Sequence, residues 1–268
     1  MIEARLESLG AFLLDLDGVV YRGDVRLPGA AAFIAELQAV GIPFLFVTNN
    51  STRTPAQFAA KLARMGIRVD ERLLLTSALA TSAYLTTVAP PGTKVYVIGE
   101  IGLRRSLTER GFVATDDWRA ARYVVVGHDT SLTWHKLADA TLAVGLGATF
   151  IGTNPDSTLP TEEGLVPGAG AILAALKVAS GQAPLVIGKP ESIIFEQALA
   201  ILGTRREVTA MIGDRLDTDI RGAQRSGLRT IGVRSGVTSQ DGFLRSDPLP
   251  DWIFDDLAEL LAAWRAPR

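Results

Sequence analysis

The groups able to do chemistry in this chain are carboxylates. There is no cysteine, and the two histidines are His128 and His135. Thiolate catalysis, disulfides, Cys-ligated zinc and multi-histidine metal sites are therefore excluded. The aspartates are not scattered. Asp15 and Asp17 sit in DLDG, with Gly18 next, directly after the apolar run AFLL (11–14). Asp214, Asp217 and Asp219 sit in GDRLDTD after TAMIG (209–213), Thr48 and Asn49 follow PFLFV (43–47), and Lys189 follows PLVIG (184–188).

Short apolar runs alternating with helical patterns specify a parallel sheet wrapped by helices. Phe33, Leu37 and Val40 recur at helical spacing before Gly41. A second helix starts at Thr54 and Pro55, lines one face with Phe58, Leu62 and Met65, and stops at Gly66. The block KVYVIG (94–99), YVVVG (123–127) and TFIG (149–152) repeats the alternation, with helices near 100–110 and 134–145. The turn-rich APPG (89–92) and SGQAP (180–184) bracket it. The expected architecture is a doubly wound α/β core of residues 1–82 and 184–268, with an α/β domain of residues 83–183 inserted. Four core strands, the one at 184–188 among them, are expected to deliver their polar ends to one sheet edge, where open parallel sheets bind ligands.

So many carboxylates in one crevice would repel one another, and burying them unpaired costs several kcal/mol each. A cation has to be present. Oxygen ligands without a His or Cys cluster favour Mg²⁺. Thr48 and Lys189 add the donors that suit a phosphoryl group, so the constellation points to phosphoryl transfer.

The four segments DLDGVVYRG, VTNNSTRT, IGKP and GDRLDTDI resemble the ordered motifs of the haloacid dehalogenase superfamily. With GTNPDSTLP (152–160) and GLVPGAGA (164–171), the chain is similar to the branch of NagD-type phosphatases, 4-nitrophenylphosphatases, phosphoglycolate phosphatase and pyridoxal phosphatase, which carries a subclass IIA cap. The resemblance implies that Asp15 is the nucleophile and that Asp17 is the acid and then the base. It implies Mg²⁺ held by Asp15, Asp214 and the Asp17 carbonyl, with Asp219 behind them orienting a water or Lys189. It further implies that Thr48 and Lys189 hold phosphoryl oxygens, helped by backbone N–H groups at Asp17, Gly18 and Asn49. Dehalogenases of this fold lack the second aspartate, so Asp17 favours phosphate esters. Asn154 and Asp156 are expected on a cap loop facing the active site, or in an Asx-type turn. Asp217 is open between a site role and the first turn of a helix, and the PGAGA stretch is read as a tight turn into a helix.

Composition narrows the partners. A formal charge of −2 argues against a broad nucleic-acid surface. No apolar run is long enough to span a bilayer, and MIEARLESLG lacks the apolar stretch of a signal peptide, so a cytoplasmic protein is expected. The expected substrate is a small phosphorylated metabolite: phosphoglycolate, pyridoxal phosphate, a nucleotide or a sugar phosphate. The resemblance allows a homodimer formed through the cap, and the sequence leaves the oligomeric state open. Two other readings compete with a phosphatase: a receiver-type signalling module, which would be shorter and uncapped, and a catalytically weak phosphate-binding protein on the same fold.

Overall fold

The computed structural model describes residues 6–161 and 163–265; the first five residues of the N-terminal stretch read above lie outside them. No helix among the described residues is long and apolar enough to cross a membrane. The chain divides into two compact units. One comprises residues 1–48, 58–75 and 194–268, the other residues 49–57 and 76–193.

The first unit is built on a sheet whose strands run, across it, Trp252–Phe254, Arg229–Val233, Thr209–Gly213, Ala11–Leu14, Phe44–Thr48 and Leu74–Thr76. The strand Ala11–Leu14 lies at its centre, parallel to both neighbours, in register Leu14↔Ile212 and Leu14↔Phe46. All four of its residues are buried, as expected of a strand covered on both faces. Phe12, Phe33 and Phe46 fill the core, and Phe12 meets Phe33 edge-on with centroids 5.5 Å apart. The helix Ala30–Val40 buries Phe33 and Leu37, but Val40 is 53% exposed, so the apolar stripe ends one turn earlier than its spacing suggests. The helix Pro55–Arg64 starts with a reciprocal cap: the Gln57 N–H donates to Thr54 Oγ1 at 3.3 Å, and the Thr54 N–H donates to Gln57 Oε1 at 2.9 Å.

The second unit has its own parallel sheet, ordered Leu185–Val186, Thr149–Gly152, Tyr123–Val126, Lys94–Ile98 and Val113–Ala114. One expectation is corrected here. The run at 184–188 is not a core strand; only Leu185 and Val186 pair, with Ile151 and Gly152 at the edge of this second sheet. Lys189 is therefore carried by the second unit. The reason lies in the two-residue strand, whose apolar run is too short to reveal which sheet it completes. The helix Ser77–Val88 likewise belongs to the second unit.

Candidate active site

In the first unit, three neighbouring parallel strands end at one edge and set the site. The Asp15 amide continues the ladder by donating to the Ile212 carbonyl at 2.9 Å, which fixes Asp15 beside the strand that ends at Gly213. Thr48 closes the strand on the other side and is buried. Asp15, Asp214 and Asp219 each present a carboxylate oxygen, and all three oxygens lie within 4.8 Å of one another. Asp15 is 7% exposed, Asp214 1% and Asp219 0%, so water does little to screen them. At an effective dielectric near 20, each pair ionised repels by at least about 3 kcal/mol.

The backbone holds these acids tightly. Asp219 sits in a π-turn, Leu216–Ile220, where its Oδ2 accepts from the Arg215 amide at 3.1 Å. A Cβ at Gly213 would overlap the Asp219 side chain, and one at Gly236 would overlap the Asp214 carboxylate. Asp214 Oδ2 accepts from the Val237 amide at 2.6 Å. The set consists of hard oxygen donors packed with no space for a bulkier residue, and it fits a divalent cation such as Mg²⁺. Asp219 belongs to this acidic group as closely as Asp15 and Asp214. Asp217 does not: it is exposed and pairs with Arg215 at 3.1 Å in the first turn of the π-helix. The helix-start reading of Asp217 holds.

Asp17 is separate from the trio and reaches solvent. Gly18 turns the chain there with φ 84°, a conformation open to glycine, and a Cβ on it would strike Asp214. The Gly18 N–H donates to the Tyr21 carbonyl at 2.7 Å, and Ser235 Oγ donates to the Gly18 carbonyl at 2.7 Å. Burial of its inner side pushes the Asp17 carboxyl above the usual aspartate range, while Lys61 and Arg22 pull it back.

Three contributors were missed in the sequence. The hairpin Tyr21–Arg22 with Val25–Arg26 follows the DLDG turn, and Arg22 Nη2 donates to the Ser235 carbonyl at 2.6 Å. Ser235, Gly236 and Val237 follow the strand Arg229–Val233, so the strand-end rule that found Asp214 would have found this loop too. Lys61 is buried on the helix Pro55–Arg64.

In the second unit, the remaining expected residues form one polar group, in which Asn49, Asn154 and Lys189 are buried and Asp156 is half-buried. Asn49 Nδ2 donates to Asp156 Oδ1 at 3.1 Å and to the Lys189 carbonyl at 2.8 Å. Asn154 Nδ2 donates to Asp156 Oδ2 at 2.9 Å, and Asn154 Oδ1 accepts from Thr153 Oγ1 at 2.9 Å. Asn49 thus spends its side-chain amide on organising this loop. The PGAGA glycines make the loop possible. The Gly170 amide donates to the Asp156 carbonyl at 2.8 Å, and a Cβ at Gly168 or Gly170 would strike the backbone of Pro155–Asp156. The helix Ala169–Ser180 follows at once, so the stretch is the expected turn into a helix.

A family model described as haloacid dehalogenase-like hydrolase matches residues 12–113, and a HAD-hydrolase-like model matches residues 186–260. An acid sugar phosphatase of Staphylococcus aureus is 46% identical over 257 residues, covering 96% of this chain and 98% of its own. The chain belongs to the haloacid dehalogenase-like hydrolases. Solved members of the same kind include a 4-nitrophenylphosphatase from Thermotoga maritima, with 32% identity, TM-score 0.91 and coverage of 97% and 99% of the two chains. A glycerol phosphate phosphatase from Mycobacterium tuberculosis, solved in complex with magnesium, is 34% identical with TM-score 0.89, covering 96% of this chain and 78% of its own. Asp15 lies within the first matched region of this chain, and Asp214 and Asp219 lie within the second.

Proposed function

We propose that this hydrolase cleaves phosphate monoesters of small metabolites through an aspartyl-phosphate formed on Asp15, with Mg²⁺ as its cofactor. The observation that carries the reading is the buried trio Asp15, Asp214 and Asp219 at the carboxyl edge of the sheet, with Asp17 two residues beyond Asp15. The names of the relatives, which act on sugar, nitrophenyl and glycerol phosphates, support a phosphate monoester as substrate.

In the first half-reaction an Asp15 carboxylate oxygen attacks phosphorus, a new O–P bond forms and the ester O–P bond breaks. The Asp17 carboxyl gives its proton to the leaving oxygen, which departs as an alcohol. In the second half-reaction the Asp17 carboxylate takes a proton from water. The water oxygen bonds to phosphorus, the Asp15–phosphorus bond breaks, and inorganic phosphate leaves with Asp15 restored. Mg²⁺, when held by Asp15, Asp214 and the Asp17 carbonyl, neutralises charge on the phosphoryl oxygens. Asp219 stands beside the two carboxylate ligands and orients what they bind. Thr48 and the amides at Asp17 and Asn49 are assigned to the phosphoryl oxygens, the Gly18 amide being spent on the Tyr21 carbonyl, and Lys189 is assigned there on motif order. The inserted α/β domain of residues 83–183 is assigned as the substrate-selecting cap, with Asn154 and Asp156 on its selecting loop.

A phosphate-release panel over phosphoglycolate, pyridoxal phosphate, nucleotides and sugar phosphates, with and without Mg²⁺, tests the reading. Turnover of at least one ester that requires the metal is expected. No release from any ester would defeat it.

A further inference from the structure

Lys61 occupies a place where the helix pattern asks for an apolar residue. In the helix Pro55–Arg64 it is buried together with Phe58 and Leu62, and it is 6% exposed. Taking an ammonium out of water is costly unless it is well paired. Its Nζ stands 3.9 Å from the centroid of the Tyr21 ring and 3.5 Å from Asp24 Oδ1. The Asp24 side chain is 92% exposed, so that ion pair returns little. The Tyr21 face returns more, and it is the connection that matters. The backbone of Tyr21 bridges to Asp17, and its carbonyl receives the Gly18 amide at 2.7 Å. The ring that Lys61 grips therefore belongs to the residue that closes the Asp17–Gly18 turn. From the opposite side, Arg22 ties the same hairpin to the Ser235 and Gly236 carbonyls at 2.6 and 3.2 Å.

We propose that Lys61 is a positioning residue for proton delivery: by gripping the Tyr21 ring it holds the Asp17 carboxyl group where the leaving oxygen needs it. The inference rests on the phosphatase reading above. It yields a signature that a plain packing role does not. An alkyl alkoxide is a poor leaving group and depends on the proton from Asp17, whereas p-nitrophenolate departs as a stable anion and depends on it little. Loss of Lys61 should therefore discriminate between ester classes, and kcat/KM reports this because it ends with the first phosphoryl transfer.

The test compares kcat/KM for glycerol 2-phosphate and p-nitrophenyl phosphate in wild type, Lys61→Met and Lys61→Arg, alongside their melting temperatures. For Lys61→Met a loss of about tenfold to a hundredfold is expected on the alkyl ester, no more than the low end of what general-acid catalysis supplies, and less than about threefold on the aryl ester. Its melting temperature should not fall, because a buried charge has been replaced by an apolar chain of similar length. Lys61→Arg, which keeps a cation against the Tyr21 ring, should recover most of the alkyl-ester loss. Equal losses on both esters, or no loss on either, would overturn the inference. Wild-type protein that cleaves neither ester would instead remove the phosphatase reading on which it rests.

Discussion

The Val237 amide donates to Asp214 Oδ2 at 2.6 Å, and Gly236, immediately before it, lies so close to the Asp214 carboxylate that no Cβ could stand between them. The loop after the strand Arg229–Val233 is thus the wall that aims Asp214. Gly236→Ala should push that carboxylate aside. The apparent Mg²⁺ affinity should fall about tenfold to a hundredfold, the usual effect of disturbing a ligand's supporting contacts. Titration of activity against Mg²⁺ reads this, and an unchanged midpoint would show that the loop does not aim Asp214.

The acidic trio also predicts a trade between metal-free stability and metal response. Asp219 is fully buried within 4.8 Å of two other carboxylates, and its Oδ2 accepts from the Arg215 amide, a bond that an asparagine carbonyl oxygen can keep. Asp219→Asn should raise stability in EDTA by about 1–3 kcal/mol by relieving repulsion. It should also shrink the gain on adding Mg²⁺, which for wild type at about a hundred times Kd is about 2.7 kcal/mol. Thermal melts with and without Mg²⁺ measure both changes.

Asp129 supplies a pH prediction in the second unit. Its carboxylate accepts from Lys136 Nζ at 2.8 Å and from the Ser131 amide and hydroxyl at 2.9 and 2.7 Å. Burial alone would raise its pKa, but the bonds from Lys136 and Ser131 outweigh burial and hold it below the ordinary value of 3.8. A depressed aspartate contributes stability that is present above its unfolded pKa and lost as pH falls through the folded one. Asp129→Asn should therefore destabilise by about 1–3 kcal/mol near neutrality. The gap from wild type should narrow as the pH drops below about 4. Urea unfolding across that range checks the sign.

Asp156 accepts from Asn49 and Asn154 with its two separate oxygens. Asp156→Asn would turn an amide donor toward one of those donors and leave it buried without an acceptor, at a cost of about 1–3 kcal/mol. Faster hydrogen exchange at residues 49–52 and 153–156, with little change in the strand Ala11–Leu14, is the expected local result.

Much of this was legible from the residues, for reasons that also mark where legibility stops. Apolar strands such as Thr149–Gly152 and Thr209–Gly213 appear with the bounds their runs suggest, because three to five buried residues in a row leave little freedom. The acids that follow such strands were found by position alone. Leu185–Val186 and the hairpin at Tyr21–Arg26 are two-residue strands, too short to carry a period, so the sheet joined by the first and the existence of the second could not be read. Nothing in the sequence marks Lys61, because the Tyr21 ring it meets is 40 positions away. Asp217 and Asp219 differ by two positions yet face opposite environments, one exposed and one fully buried, a distinction made by the π-turn.

The central claim is that Asp15 carries the phosphoryl group, and trapping it there is the most direct measurement. Wild-type protein is mixed with p-nitrophenyl phosphate and Mg²⁺, quenched in acid within a turnover and digested for mass spectrometry. The account predicts a phosphorylated peptide whose modified residue is Asp15, and the loss of both that peptide and steady turnover in Asp15→Asn. Steady phosphate release by Asp15→Asn at the wild-type rate would contradict it.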